Sequence, residues 1–92
     1  MMRLDKFLKV SRIIKRRTLA KEVAEKGRIY INGNQAKASS SVKGGDELTI
    51  HFGQKVVTAR VETIKENAKK EEASMMYTIV KEERVNLDEQ QL

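Results

Sequence analysis

The run Gly27-Arg28-Ile29-Tyr30-Ile31-Asn32-Gly33 switches the apolar period of the chain from helical to alternating within a few positions, and the fold is read outward from that switch. Just before it, Arg17 to Lys26 is rich in helix formers, with Leu19/Val23 and Ala20/Val23/Ala24 as its apolar stripe. Gly27 stands where a left-handed residue ends a helix. Just after it, Ile29 and Ile31 alternate with Arg28 and Tyr30, and Asn32-Gly33 supplies the positive-φ pair that a type I′ turn needs. The chain must fold back there, with Gln35 to Ala38 as the return strand.

Toward the amino terminus, Leu4, Phe7 and Leu8 follow i, i+3, i+4 spacing, a short helix with Lys6 and Lys9 on its wet side. Ser11 is placed to cap a following turn that carries Ile13 and Ile14. Toward the carboxy terminus, Lys43-Gly44-Gly45-Asp46 is a second turn, and Leu48, Ile50 and Phe52 alternate with Thr49 and His51. Gly53-Gln54 turns the chain again, and Val57, Ala59 and Val61 return, making a second hairpin. Residues 69–83 read as a helix through Met76, Ile79 and Val80, although Met76 to Val80 also suits a strand. From Asn86 onward the chain is polar and expected to fray. The expected fold class is α+β: two short helices packed on a small, mainly antiparallel sheet of hairpins, with a C-terminal helix. Residues 1–65 form the domain, and residues 66–92 an acidic, partly helical tail.

Composition narrows the function. The 92 residues carry 19 Lys plus Arg against 13 Asp plus Glu, a formal charge of +6, with no Cys and no Pro. The chain has room for one small domain and none for a catalytic domain beside it. Without Cys there is no disulfide framework and no thiolate metal site. Apolar runs reach two or three residues, too short for a membrane span, and no signal peptide is apparent, so the expected location is the cytoplasm. The charge is unevenly placed: residues 1–31 hold ten basic side chains against three acidic ones, whereas residues 62–92 hold five against eight. Arg12, Lys15, Arg16, Arg17 and Lys21 fall close together, with Arg3, Lys6 and Lys9 just upstream. Such a cluster is the footprint of a polyanion binder.

Catalytic equipment is missing from the sequence. His51 falls on the polar phase of its strand with no Cys or carboxylate pair nearby, Glu71/Glu72 and Glu82/Glu83 diverge on a helix, and Gly44-Gly45 lacks the residues of a phosphate-cradling loop. No catalytic residue, metal ligand or cofactor is expected. Lys21 with Glu25 and Glu22 with Lys26 form ordinary i, i+4 helix pairs, but Lys15, Arg16 and Arg17 have no such partner. Arg16 and Arg17 also enter the first turn of a helix, where the dipole disfavours cations. A phosphate that used the free N–H groups and the guanidinium forks together would relieve that conflict.

Arg3-Leu4-Asp5-Lys6-Phe7-Leu8, Arg17-Thr18-Leu19-Ala20, Gly27 to Gly33, and Lys43-Gly44-Gly45-Asp46-Glu47 occur in the order that marks the S-four RNA-binding domain, which the chain closely resembles over residues 2–63. In that family two helices and an adjoining strand form a basic groove that follows RNA. Two departures stand out: Arg16 occupies the place of a capping Ser or Thr, and Gly44 the place of a Pro. Among stand-alone members the chain is most similar to the small ribosome-associated quality-control factors of Firmicutes, relatives of the heat-shock protein fifteen group. That resemblance implies binding to a large ribosomal subunit that carries obstructed peptidyl-tRNA, contact with large-subunit rRNA and with the tRNA, and action beside the factor that adds alanine tails. It makes Arg3 and Arg17 the principal RNA contacts; charge position adds Lys6, Arg12, Lys15, Arg16 and Lys21. Other readings are recycling of stranded large subunits in the manner of the heat-shock group, a protein-interaction module working through Met75, Met76, Ile79 and Val80, and the targeting module of an RNA-modifying enzyme, which the length disfavours. Nothing in the sequence requires more than a monomer.

Overall fold

A computed structural model of the chain describes residues 1–84. The order is β1 (Met2–Arg3), α1 (Leu4–Val10), α2 (Arg17–Glu25), β2 (Ile29–Ile31), β3 (Asn34–Gln35), β4 (Ser41–Val42), β5 (Glu47–Phe52), β6 (Lys55–Val61), α3 (Lys70–Ala73) and β7 (Tyr77–Arg84). Strands β3-β2-β5-β6-β7 form one antiparallel sheet, and β1 pairs with β4 in a separate ribbon. The α+β class and both expected hairpins are present.

The register puts one sheet face inside. Ile29 stands opposite Ile50, Ile31 opposite Leu48, Leu48 opposite Ala59 and Ile50 opposite Val57. Leu4, Phe7 and Leu8 of α1 and Ala20 and Ala24 of α2 complete the core against them. Small residues let α2 approach closely, so its buried positions are the two alanines, while Leu19 is left 48% exposed on the flank of the stripe read from the sequence. The end of α2 is closed as Gly27 requires: at φ +74° its N–H donates to the Ala24 carbonyl (3.0 Å), and the Arg28 N–H reaches back to that of Val23 (3.2 Å). Asn32 and Gly33, at φ +51° and +84°, make the type I′ turn. The paired part of the return strand is shorter than expected, Asn34–Gln35, with the Ala36 N–H still bonded to the Ile29 carbonyl.

Two local expectations are corrected. Ser11 closes α1 as its C-terminal cap and does not open a following turn. The C-terminal helix over 69–83 is a single turn, Lys70–Ala73, followed by strand β7. The reason is nonlocal: β6 offers an open row of N–H and C=O groups, and Tyr77–Arg84 satisfies it from Val61↔Tyr77 to Lys55↔Arg84, with a bulge between Thr58 and Ala59. The segment after residue 65 thus returns to the sheet, and the fraying expected from Asn86 lies outside the described residues.

Met76 is fully buried, whereas Met75 is 69% exposed. The interaction segment read from the sequence is therefore split, one of its methionines belonging to the core. Met76→Ala should cost about 2–4 kcal/mol in urea denaturation, and Met75→Ala should stay within about 0.5 kcal/mol of the parent. Equal losses for the two would contradict this placement of the tail.

Candidate RNA interface

Two backbone bonds fix the start of α1 on the segment before β4: the Leu4 N–H donates to the Ser40 carbonyl (2.8 Å), and the Asp5 N–H to that of Ala38 (3.1 Å). Pairing of Arg3 with Ser41 holds the preceding residue. Arg3 and Asp5 are thereby presented from a rigid joint, and Arg17 meets them as the first residue of α2. The Asp5 side chain is only 4% exposed. Its Oδ1 accepts from Arg3 Nε (3.2 Å) and from the Lys6 backbone N–H (2.9 Å), and its Oδ2 accepts from Arg17 Nε (3.3 Å). Both arginine side chains remain about half exposed, at 53% and 48%.

A buried carboxylate is expensive unless it is paired. Burial pushes the Asp5 carboxyl up, but the Arg3 and Arg17 hydrogen bonds, the Arg17 charge and the Lys6 N–H together outweigh it and hold the group below the ordinary aspartate value of 3.8. Arg17 engages Asp5 through Nε, and its terminal nitrogens have no protein partner among the described residues. They are available to an anion in solvent.

The structure sorts the other expected cations. Lys21 and Arg3 line a groove of about 410 Å³ between α2 and the 35–39 segment, with Glu25 on the helix wall and Lys37 and Gln35 opposite. Arg12 and Lys15 line a different groove of about 420 Å³, with Lys9 and Asn67, and the two grooves share no residue. Lys6 is ion-paired with Glu66. Arg16 is the N-cap residue of α2 and makes no side-chain cap bond, so that helix starts with free N–H groups and a positive side chain. His51 lies beside Tyr30, with ring centroids 5.7 Å apart.

Sequence reasoning missed Asp5, Lys37 and Glu66. Asp5 offered a signal, since an acid two positions after Arg3 in a strongly basic stretch must face some of those cations. Nothing local marks Lys37 or Glu66.

The family model for the S4 domain matches residues 2–48. The chain is 74% identical to the RQC P-site tRNA stabilizing factor of Bacillus subtilis, covering 91% of this chain and 98% of the relative. It is 37% identical to Heat shock protein 15 of Escherichia coli, covering 82% of this chain and 57% of that protein. The trimeric structure of Vibrio cholerae Heat Shock Protein 15 superposes with a TM-score of 0.79 at 35% identity, over 86% of this chain and 81% of that one. The chain therefore belongs to the S4-domain family and, within it, to the group of RQC P-site tRNA stabilizing factors.

Because the folded-state pKa of Asp5 is depressed, its pairing stabilises the fold above the ordinary value of 3.8, and that stability is lost as pH falls through the folded value. Asp5→Asn should cost about 1–2 kcal/mol at neutral pH, discounted for two half-exposed partners. The gap from the parent should close in acid. Urea denaturation across that range checks this, and a gap independent of pH would place the effect elsewhere.

Proposed function

We propose that this chain is a non-enzymatic RNA-binding factor of ribosome-associated quality control, which holds obstructed peptidyl-tRNA in place on the large ribosomal subunit. The observation that carries the reading is the guanidinium pair held by Asp5, in a chain that matches the Bacillus factor along nearly its whole length. In this reading Arg3, Arg17 and Lys21 contact RNA phosphates, and the grooved face between α2 and residues 35–39 follows the shape of structured RNA. The chemistry needed is occupancy alone. Two guanidinium groups preset against one carboxylate lose little freedom when a phosphate arrives, so their charge goes into positioning. Large-subunit rRNA and the tRNA are the RNA partners, the alanine-tailing factor works on the same particle, and the setting is the cytoplasm.

Coverage favours this reading over recycling of stranded subunits in the manner of the heat-shock group. The match runs nearly end to end with the Bacillus factor but spans little more than half of the E. coli heat shock protein.

Arg17→Ala should lower affinity for large subunits about tenfold or more while leaving the chain folded, and Arg3→Ala should act alike. Co-sedimentation of either variant with large subunits at the parent level would overturn the assignment. Affinity of the parent should fall steeply with salt, because each neutralised phosphate releases a counterion. A flat titration from dilute to physiological salt would remove the electrostatic basis.

A further inference from the structure

We infer that the groove at the carboxy-terminal end of α1, lined by Lys9, Arg12, Lys15 and Asn67, is a second phosphodiester-binding site, so that the chain grips RNA at both ends of its first helix. The inference rests on the RNA-binding reading above and adds a site to it.

The backbone at Arg12 is the first observation. Arg12 sits at φ +64°, a left-handed conformation in which an L side chain is strained and glycine is not. It occupies the position just after the cap of α1, the place that Gly27 fills after α2 at φ +74°. The Arg12 N–H donates to the Lys9 carbonyl (3.1 Å), and the Ile14 N–H to that of Leu8 (3.1 Å), so the turn is a formed helix end. For folding alone glycine would serve better here. The strain is held by its neighbours, since Ser11 and Ile14 are buried on either side, and the exposed guanidinium springs from a fixed base. A residue that opposes its own turn, in a groove with two other cations, fits a side chain retained for a ligand.

Charge is the second observation. Lys9, Arg12 and Lys15 have no ion-pair partner among the described residues, although acids lie close by. Glu66, adjacent to Asn67, is turned to Lys6, and Glu71, which lines a neighbouring groove together with Arg12 and Lys70, makes no ion pair with Arg12. The residue that faces the groove from this segment is thus a neutral amide, able to donate to an oxyanion. Three unpaired cations at this helix end repel one another until an anion arrives; the negative end of the dipole offsets only part of that.

Position is the third. Asn67 and Ala68 follow β6 and lie outside residues 2–48, which match the S4 domain. This groove is therefore completed by chain beyond the matched domain. A groove of about 420 Å³ has room for a phosphate with its ribose. Two separate phosphate anchors would fix the orientation of the protein on RNA, which one anchor leaves free to pivot.

Arg12→Gly separates ligand from fold. In the full chain it should raise or preserve the thermal midpoint, because the left-handed strain is removed, while lowering affinity about fivefold to tenfold and the salt slope by about one contact. Binding is measured separately to purified tRNA and to large ribosomal subunits: a loss confined to one identifies which RNA supplies the phosphate, and a loss on both places it at a shared strand. Lys9→Gln combined with Lys15→Gln, at exposed helix-end and loop positions, should weaken binding in the same way and carries the test if Arg12→Gly lowers stability. Lys26→Gln, outside both grooves, controls for net charge. Unchanged affinity for both RNAs in Arg12→Gly and in the double variant, with Arg17→Ala still releasing the chain, would overturn the second site and leave the first standing. Unchanged binding in Arg17→Ala as well would overturn the RNA reading itself.

Discussion

A single buried carboxylate, Asp5, organises the joint on which the basic face depends. It meets the beginning of α1, the beginning of α2 and, through the neighbouring backbone, the segment that leads into β4. The start of α2 needs it most. Arg16 gives that helix no side-chain cap, and Arg17 adds positive charge to a dipole end that is already positive. Asp5 supplies the missing negative charge from another helix. It does so through the Nε of Arg17, so the terminal nitrogens of the same guanidinium keep no protein partner among the described residues. Holding the start of the helix therefore does not use up the whole guanidinium.

What could be read in the sequence was whatever depends on near neighbours. Gly27 and Asn32-Gly33 specify backbone conformations at fixed positions, and the structure has them there. The turn at Lys43 to Asp46 was legible for the same reason. What lay out of reach is that these two turns are tied together: Asn32 Nδ2 donates to Asp46 Oδ1 at 3.0 Å, Asn32 Oδ1 accepts the Glu47 N–H at 3.0 Å, and Asp46 Oδ2 accepts the Lys43 N–H at 3.0 Å. Residues read as turn formers also cross-link the sheet to its connecting loop, a fact that spacing along the chain does not encode.

The same limit explains the tail and the site. Met76 to Val80 suits helix or strand by its own pattern, and the unpaired edge of β6 decides between them. The stripe on α2 was visible, but the choice of Ala20 and Ala24 over Leu19 as buried contacts depends on how near α1 comes. The order of the motifs singled out Arg3 and Arg17, and the structure brings them together on Asp5. Their coupling through Asp5 was not legible, because an acid among many cations reads locally as charge balance.

A small domain with so many cations in its first third has little stability to spare, so which of them are neutralised matters as much as how many there are. Asp5 shares its charge between Arg3 and Arg17, and Glu66 takes Lys6. Glu66 comes from the acidic last third, which by composition alone resembles a passive counterweight. By position it acts selectively: it pairs with one lysine of α1 while Lys9, one helical turn further on, stays unpaired among the described residues. The segment after β6 thus helps to shape the basic surface, since an acid placed at position 67 instead of 66 would face the cations of the second groove. Net charge attracts any polyanion, but the pattern of paired and unpaired cations on α1 sets where on the surface the positive charge is concentrated.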